Sequence, residues 1–427
     1  MTDEKRYLNF IPYNPKVLFA NWNLEFYKTH KFEIASLDDA VNNPVQFAVT
    51  QDVIKKTSER LNRSIDLIVT AVGTGAIVDL IEKNIDYLEQ YINSITLTDL
   101  KDIDLSKWKI INQSKIILKK KIGNILKKSF IKELSGDMFY GNELFGDIPN
   151  RFVYKNNGKL YDIWVRAYSP NTMPPLVEKR VKEILTSIYY KEVFPDVFDP
   201  EIGKILKFDI AFKRRIFSRE VEYYYRDYPD NCIFAISDDT YQVLFYLYEQ
   251  LKYGGSILYH DYGFFSPTNL HLIENFLRDD NDENHFVRNY YGEFTTEPSF
   301  DYAYGKLKDY VKHISIRKTL ERVSEVNNTP KELVNLDGDV RKAHFFINMI
   351  KERFLYWDYE VANNWDYIVN EYIEDIKNGN PDLDQTMNLI SEKIAILTDD
   401  NLITIRKILM GYFNDDDHRF LSIEINK

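Results

Sequence analysis

Between Leu67 and Leu100 the chain changes rhythm three times. Leu67-Ile-Val-Thr-Ala-Val72 is a short, continuous apolar run rich in β-formers, as expected of a strand buried on both faces. Gly73-Thr-Gly75 interrupts it, and from Ala76 to Tyr91 apolar residues recur at helical spacing. Ser94 to Leu100 alternates again as a second strand, carrying Asp99 at its end. Upstream, Pro44 to Asn62 reads as a helix entered from a polar turn. Downstream, Cys232 to Ser237 reads as a strand and Thr240 to Tyr253 as a helix. Gly254-Gly255 stops that helix before a strand from Ser256 to Asp261. Strands alternating with helices predict an α/β fold with a parallel sheet.

The stretch between Asp104 and Asn231 exceeds one crossover and must hold insertions, including a hairpin from Arg151 to Trp164 turned at Asn157-Gly158. Lys115 to Lys128 reads as a basic amphipathic helix, its lysines solvated over an apolar stripe; docking on an acidic partner or membrane surface is the alternative. Val221 to Arg226 reads as strand packing, with an aromatic substrate wall as the alternative. After about Asp301 the pattern turns helical, with Trp357 and Trp365 packing those helices. The expected division is an N-terminal extension over 1–43, a core domain over 44–311 with an insertion at about 104–231, and a helical C-terminal region over 312–427.

The 427 residues, 44% hydrophobic with 31 Tyr and 27 Phe, are unlike a disordered chain and suffice for a large core. Cys232 is the one cysteine, which excludes a disulfide framework, and no Cys/His spacing suits zinc; a reducing, cytoplasmic setting follows as the expectation. No signal-like or membrane-spanning apolar run occurs, so no membrane partner is expected. A net charge of -11 argues against nucleic acid, whose binders neutralise phosphates with cations.

In an open α/β sheet, ligands bind beyond the carboxyl ends of the strands, where glycines admit the backbone and a helix N-terminus offers N–H groups. Thr70, Ala71, Gly73 and Gly75 occupy that place, and Asp99 could accept hydrogen bonds from a ribose diol. A phosphate loop would need a Lys-Ser/Thr pair after the glycines, and a dinucleotide fingerprint a third glycine at Val78; neither occurs. Asn142 offers a donor and an acceptor at a strand tip, and Glu143 and Asp147 could fix a cationic nitrogen. His260, beside Asp261, is a candidate general base.

The segment Asn142-Glu-Leu-Phe-Gly-Asp-Ile-Pro149 and the hairpin after it resemble the Asn-Glu, acid, Pro and hairpin segment of the MidA family of class I S-adenosylmethionine methyltransferases. Further segments are similar in the same order. Val45 to Val53 resembles the family's Phe, Thr and acid segment, followed by the turn at Gly73 and Gly75. Ile257 to Gly263 resembles its Asp-Tyr-Gly signature, and Phe286 to Asp301 its closing segment. The resemblance implies a Rossmann-like methyltransferase sheet and an S-adenosylmethionine cofactor held by Gly73, Gly75 and Asp99. Asn142, Glu143, Asp147, Asp261, Tyr262 and Gly263 would then surround the methyl donor and acceptor, by analogy a protein or peptide arginine.

Two departures stand in the turn. Where the family has an acid and an extra glycine, this chain has Val69 and Ala71. A small-molecule methyltransferase and a non-catalytic assembly protein with a degenerate cofactor site therefore stay open, as does a homodimer.

Overall fold

The computed structural model describes residues 6–9, 11–29, 37–73, 75–148, 150–169, 173–191, 201–226, 228–263, 265, 271–272, 287–290, 293–296, 298–319, 322, 359–378, 382–394, 397, 402, 405 and 420–427. Its strands in chain order are β1 (Arg6–Tyr7), β2 (Ile65–Thr70), β3 (Ile92–Asp99), β4 (Ile117–Ile122), β5 (Met138–Asn142), β6 (Arg151–Asn156), β7 (Lys159–Ser169) and β8 (Lys207–Arg214). They continue with β9 (Cys232–Ile236), β10 (Ser256–Tyr262), β11 (His271–Leu272), β12 (Val287–Tyr290), β13 (Glu293–Thr296), β14 (His313–Lys318) and β15 (Phe420–Asn426).

Seven strands form the main sheet in the spatial order β14-β15-β10-β5-β2-β3-β4. Five run parallel through β4, β3, β2, β5 and β10, while β15 lies antiparallel between β10 and β14. Numbered by their own succession, the strands read 3-2-1-4-5-7-6 with the seventh reversed, a class I methyltransferase sheet order. The order reverses between β2 and β5, which is the switch point where such sheets bind ligands. Leu67, Val69, Met138, Tyr140 and Leu258 pack on one face of the sheet, and Ile68, Phe139, Ile257 and Tyr259 on the other. Both faces are covered, which explains the near-continuous apolar run of β2.

A second sheet, wholly antiparallel, joins β6, β7 and β8 of the insertion to β1, β9 and β11 from outside it, in the order β1-β7-β6-β9-β11 with β8 also paired to β7. Asn157 and Gly158 turn β6 into β7 with both φ angles positive, 48° and 68°, as a two-residue hairpin of the primed type requires. Lys155 anchors this sheet from within: its buried ammonium donates to the carbonyls of Tyr225, Arg226 and Tyr228 at 3.2, 2.6 and 2.5 Å.

Several local expectations are corrected. Cys232 to Ile236 is a strand but pairs antiparallel with β6 in the second sheet, because apolar density does not reveal strand direction. Lys115 to Lys128 is not a helix; its centre is β4, the edge of the main sheet, where solvated lysines guard unpaired backbone. Val221 to Arg226 belongs mostly to the helix Arg219–Tyr225, whose first turn is capped by the Ser218 hydroxyl accepting the Val221 N–H at 3.3 Å. The C-terminal region does contain the helices Tyr359–Lys377 and Leu383–Lys393, with Trp365 fully buried. Yet β14 and β15 complete the main sheet, so chain beyond 311 is integral to the core. Trp357 lies outside the described residues. No described helix is long and apolar enough to cross a membrane.

Candidate functional site

The turn after β2 holds three left-handed residues at alternate positions: Ala71 at φ 51°, Gly73 at 56° and Gly75 at 89°. An L-residue pays for that conformation and glycine does not, so the path is that of a three-glycine turn with alanine in its first place. Gly75 is fixed by packing as well, since a Cβ there would lie 2.4 Å from the Trp108 ring. Trp108 is itself buried and held by its indole N–H donating to Asp79 at 2.6 Å. Beside Gly73, in contrast, a Cβ would meet nothing within 4 Å, so the turn opens onto free space at its middle.

Asp99 ends β3 next to this opening. Its carboxylate accepts the Gly73 N–H at 3.1 Å and the Lys101 N–H at 3.2 Å. Thr70 faces elsewhere: its buried hydroxyl lies 2.5 Å from the Tyr259 hydroxyl and 3.0 Å from the Tyr140 carbonyl, tying β2 to β5 and β10. Val69 packs into the apolar core.

Across the switch point, β5 ends at Asn142, whose side-chain N–H donates to the Glu143 carboxylate at 3.3 Å. Its Oδ1 is buried and has no partner among the described residues. Glu143 adopts φ 49°, and its N–H donates to the His260 carbonyl at 2.8 Å, so the chain turns sharply off the sheet there. Glu143 and Asp147 are both half-buried on the loop that follows.

Asp261 supports that loop from beneath. Its fully buried carboxylate accepts the Phe145 N–H, and burial pushes its pKa well above the usual carboxylate range, with the nearby Asp147 charge acting in the same direction. Gly146 and Asn150, at the loop's far end, are clasped by Thr296 of β13: its N–H donates to the Gly146 carbonyl at 2.8 Å, and its hydroxyl accepts the Asn150 N–H at 3.2 Å. Gly263 is required by Phe300, whose ring would lie 2.4 Å from any Cβ added there. Tyr262 is half-buried and pairs with Phe420 at the end of β10. His260 stays inside the sheet, its Nδ1 2.9 Å from the Ser422 hydroxyl. Burial, and secondarily the charge of Arg322, lower its pKa to about 3, so the imidazole is neutral at pH 7.

The structure thus gathers Ala71, Gly73, Gly75, Asp99 and Asn142 at the carboxyl ends of neighbouring strands, with Glu143 and Asp147 on the adjoining loop. Asp261 and Gly263 shape that loop and its packing, and Thr70 and His260 lie within the sheet. Trp108 and Thr296 were not legible as contributors, because their contacts join segments distant in sequence. Among the described residues no His, Cys, Asp and Glu group could hold a metal ion.

No protein-family model matches the chain. No curated protein matches it either. Among solved structures, an uncharacterised protein from Burkholderia thailandensis aligns over 98% of this chain and 87% of its own, at 11% identity and a TM-score of 0.47. Another from that organism, described as a candidate methyltransferase bound to S-adenosyl-homocysteine, aligns over 91% and 78% at 10% identity and a TM-score of 0.45. An O-methyltransferase family protein, also from that organism, aligns over 63% and 52% at 10% identity and a TM-score of 0.29. Likenesses this remote leave the functional reading to rest on the chain's own residues.

Proposed function

We propose that this chain is an S-adenosylmethionine-dependent methyltransferase whose acceptor is a protein or peptide side chain, an arginine guanidinium by resemblance. The observation that carries the reading is the left-handed path at 71, 73 and 75 beside Asp99, at the switch point of a 3-2-1-4-5-7-6 sheet. The open space beside Gly73 and the partnerless Oδ1 of Asn142 fit such a cofactor, which needs room along the turn and an acceptor for its amino group. Asp99 would accept the ribose hydroxyls, and the backbone of the turn would approach the rest.

Bound there, the cofactor supplies an electrophilic methyl group on a sulfonium. The residues of this chain align the acceptor and keep it nucleophilic. Glu143 and Asp147, half-buried on the loop after β5, would orient a guanidinium through charge-assisted hydrogen bonds and stabilise its charge. Neither needs His260, which is neutral and enclosed.

A second reading, a non-catalytic interaction protein, is favoured by Val69, which occupies the family's acidic position and is buried in the core. Calorimetric titration with S-adenosylhomocysteine separates the two: binding supports the enzyme, and absence of heat and of thermal shift at millimolar ligand supports the interaction protein. With labelled cofactor in a lysate, a labelled arginine peptide is the expected product, and label confined to small molecules would overturn the acceptor. In Glu143→Gln we expect transfer to be lost and cofactor binding kept.

A further inference from the structure

At the opposite edge of the main sheet from β4, a groove of about 580 Å³ runs along the edge strand β14, with Lys56 of the helix Leu37–Leu61 on its wall. Its walls carry Lys56, Lys308, Lys312, Arg317 and Arg322, with Glu424 as the lining carboxylate among the described residues and Asp52 bonded to Lys56 beside it. That concentration of cations stands in a chain of net charge -11, so it is a local reversal of the protein's overall field. It is also separate from the switch point. The switch point lies between β2 and β5, and β15 and β10 both stand between β5 and β14, the strand that borders the groove.

The cations differ in how they are held. Arg322 is nearly fully buried, with Nη2 donating to Glu424 at 2.9 Å and lying 3.6 Å from Asp52. Arg317 donates from Nε to the Ser315 hydroxyl at 3.1 Å, which orients its guanidinium plane. Lys56 is paired with Asp52 at 2.6 Å. Lys308 and Lys312 are exposed and have no ion-pair partner among the described residues. Two exposed ammonium groups at the rim and the oriented Arg317 guanidinium along the wall suit a ligand with several negative charges, since guanidinium groups match phosphate oxygens and lysines act as point charges. Tyr304, Val311 and Ile314 add an apolar side, and the volume is that of a pocket for one small molecule rather than a polymer track.

We infer that this groove is a binding site for a small phosphorylated ligand, a diphosphate or triphosphate ester, independent of the methyl-transfer site and of that reading. The site attracts its ligand by the lysine charges at the rim and orients it by Arg317.

The test uses the full chain with inorganic pyrophosphate and tripolyphosphate as probes, followed by calorimetry and thermal shift at low and at physiological salt. The expected result is binding of both, tighter for tripolyphosphate, that weakens as salt rises. The double variant Lys308→Glu, Lys312→Glu changes only exposed side chains; we expect it to fold as the parent and to bind tripolyphosphate at least about tenfold more weakly. Glu424→Gln, which removes the carboxylate that Arg322 donates to, should bind more tightly. Absence of binding to either probe at millimolar concentration, or equal binding by the double variant, would overturn the site. Binding of oligoglutamate in place of the polyphosphates would overturn the ligand class. Displacement of S-adenosylhomocysteine by tripolyphosphate would overturn the independence of the two sites.

Discussion

The carboxylate of Asp99 accepts the backbone N–H of Gly73 at 3.1 Å, so the end of β3 grips the middle of the turn that follows β2. The bond joins two parallel neighbours at their carboxyl ends, in the register that pairs Thr70 with Thr98. Gly73 is solvent-exposed, and the bond is therefore exchangeable with one to a ligand.

Asp99→Ala tests this grip. The two backbone hydrogen bonds that Asp99 accepts are together worth about 1–3 kcal/mol, so the melting temperature should fall by only a few degrees. Affinity for S-adenosylhomocysteine should fall at least about tenfold, or 1.4 kcal/mol. A variant that binds the ligand as the parent does removes Asp99 from the proposed cofactor site.

Ala71 and Gly75 give predictions of opposite sign. Ala71 sits at φ 51°, a conformation that costs an alanine roughly 1–2 kcal/mol and a glycine none, part of which the greater freedom of unfolded glycine offsets. Ala71→Gly should stabilise the fold by about 0.5–1 kcal/mol in denaturant unfolding. Gly75→Ala should destabilise it by about 2 kcal/mol or more, because the new methyl meets the Trp108 ring as well as a positive φ. Adding Trp108→Phe should recover part of that loss; strictly additive effects would show that the two residues do not press on each other.

The pattern of the chain revealed the central strands because β2, β5 and β10 are buried on both faces and leave a continuous apolar trace. Asp99 was legible as a strand-ending acid, and Asn157-Gly158 as a turn, since both are local chemistry. Other features depend on partners far along the chain. The lysines of β4 read as a helix face because nothing local says that the strand is an edge. Phe420 to Asn426 carries no local sign that it inserts antiparallel between β10 and β14. Asp261 and Gly263 were named through the resemblance to the Asp-Tyr-Gly signature, and their contacts with the Phe145 N–H and the Phe300 ring depend on residues distant in sequence.

Lys155 should be among the most costly positions outside the candidate site. From β6 its ammonium donates to three carbonyls at and just beyond the end of the helix Arg219–Tyr225, and Lys155→Met fills the space while leaving all three without that donor. We expect a loss of about 3 kcal/mol, since charged hydrogen bonds are strong and the stranded acceptors stay buried. Hydrogen exchange should show the loosening first at β6 and β9, and a variant as stable as the parent would mean that the carbonyls find other donors.

Asp301 and His260 should oppose each other in the dependence of stability on pH. Burial raises the Asp301 carboxyl to about 7, so the folded protein keeps a proton that the unfolded chain releases near 3.8. In that window the native state binds more protons, and this group makes stability fall as pH rises. His260 is lowered from 6.5 to about 3, chiefly by burial, so between those values the unfolded chain binds the extra proton and stability is lost as pH falls. From about pH 4 to 6.5 the two slopes have opposite signs and nearly cancel. Asp301→Asn should therefore make the slope of stability against pH more positive than in the parent, and His260→Gln should tilt it the other way, each by the worth of one bound proton, about 1.4 kcal/mol per pH unit. Urea unfolding of the three proteins across pH 4–7 measures this. Parallel curves for Asp301→Asn and the parent would show that Asp301 ionises in the folded state as it does in the unfolded chain.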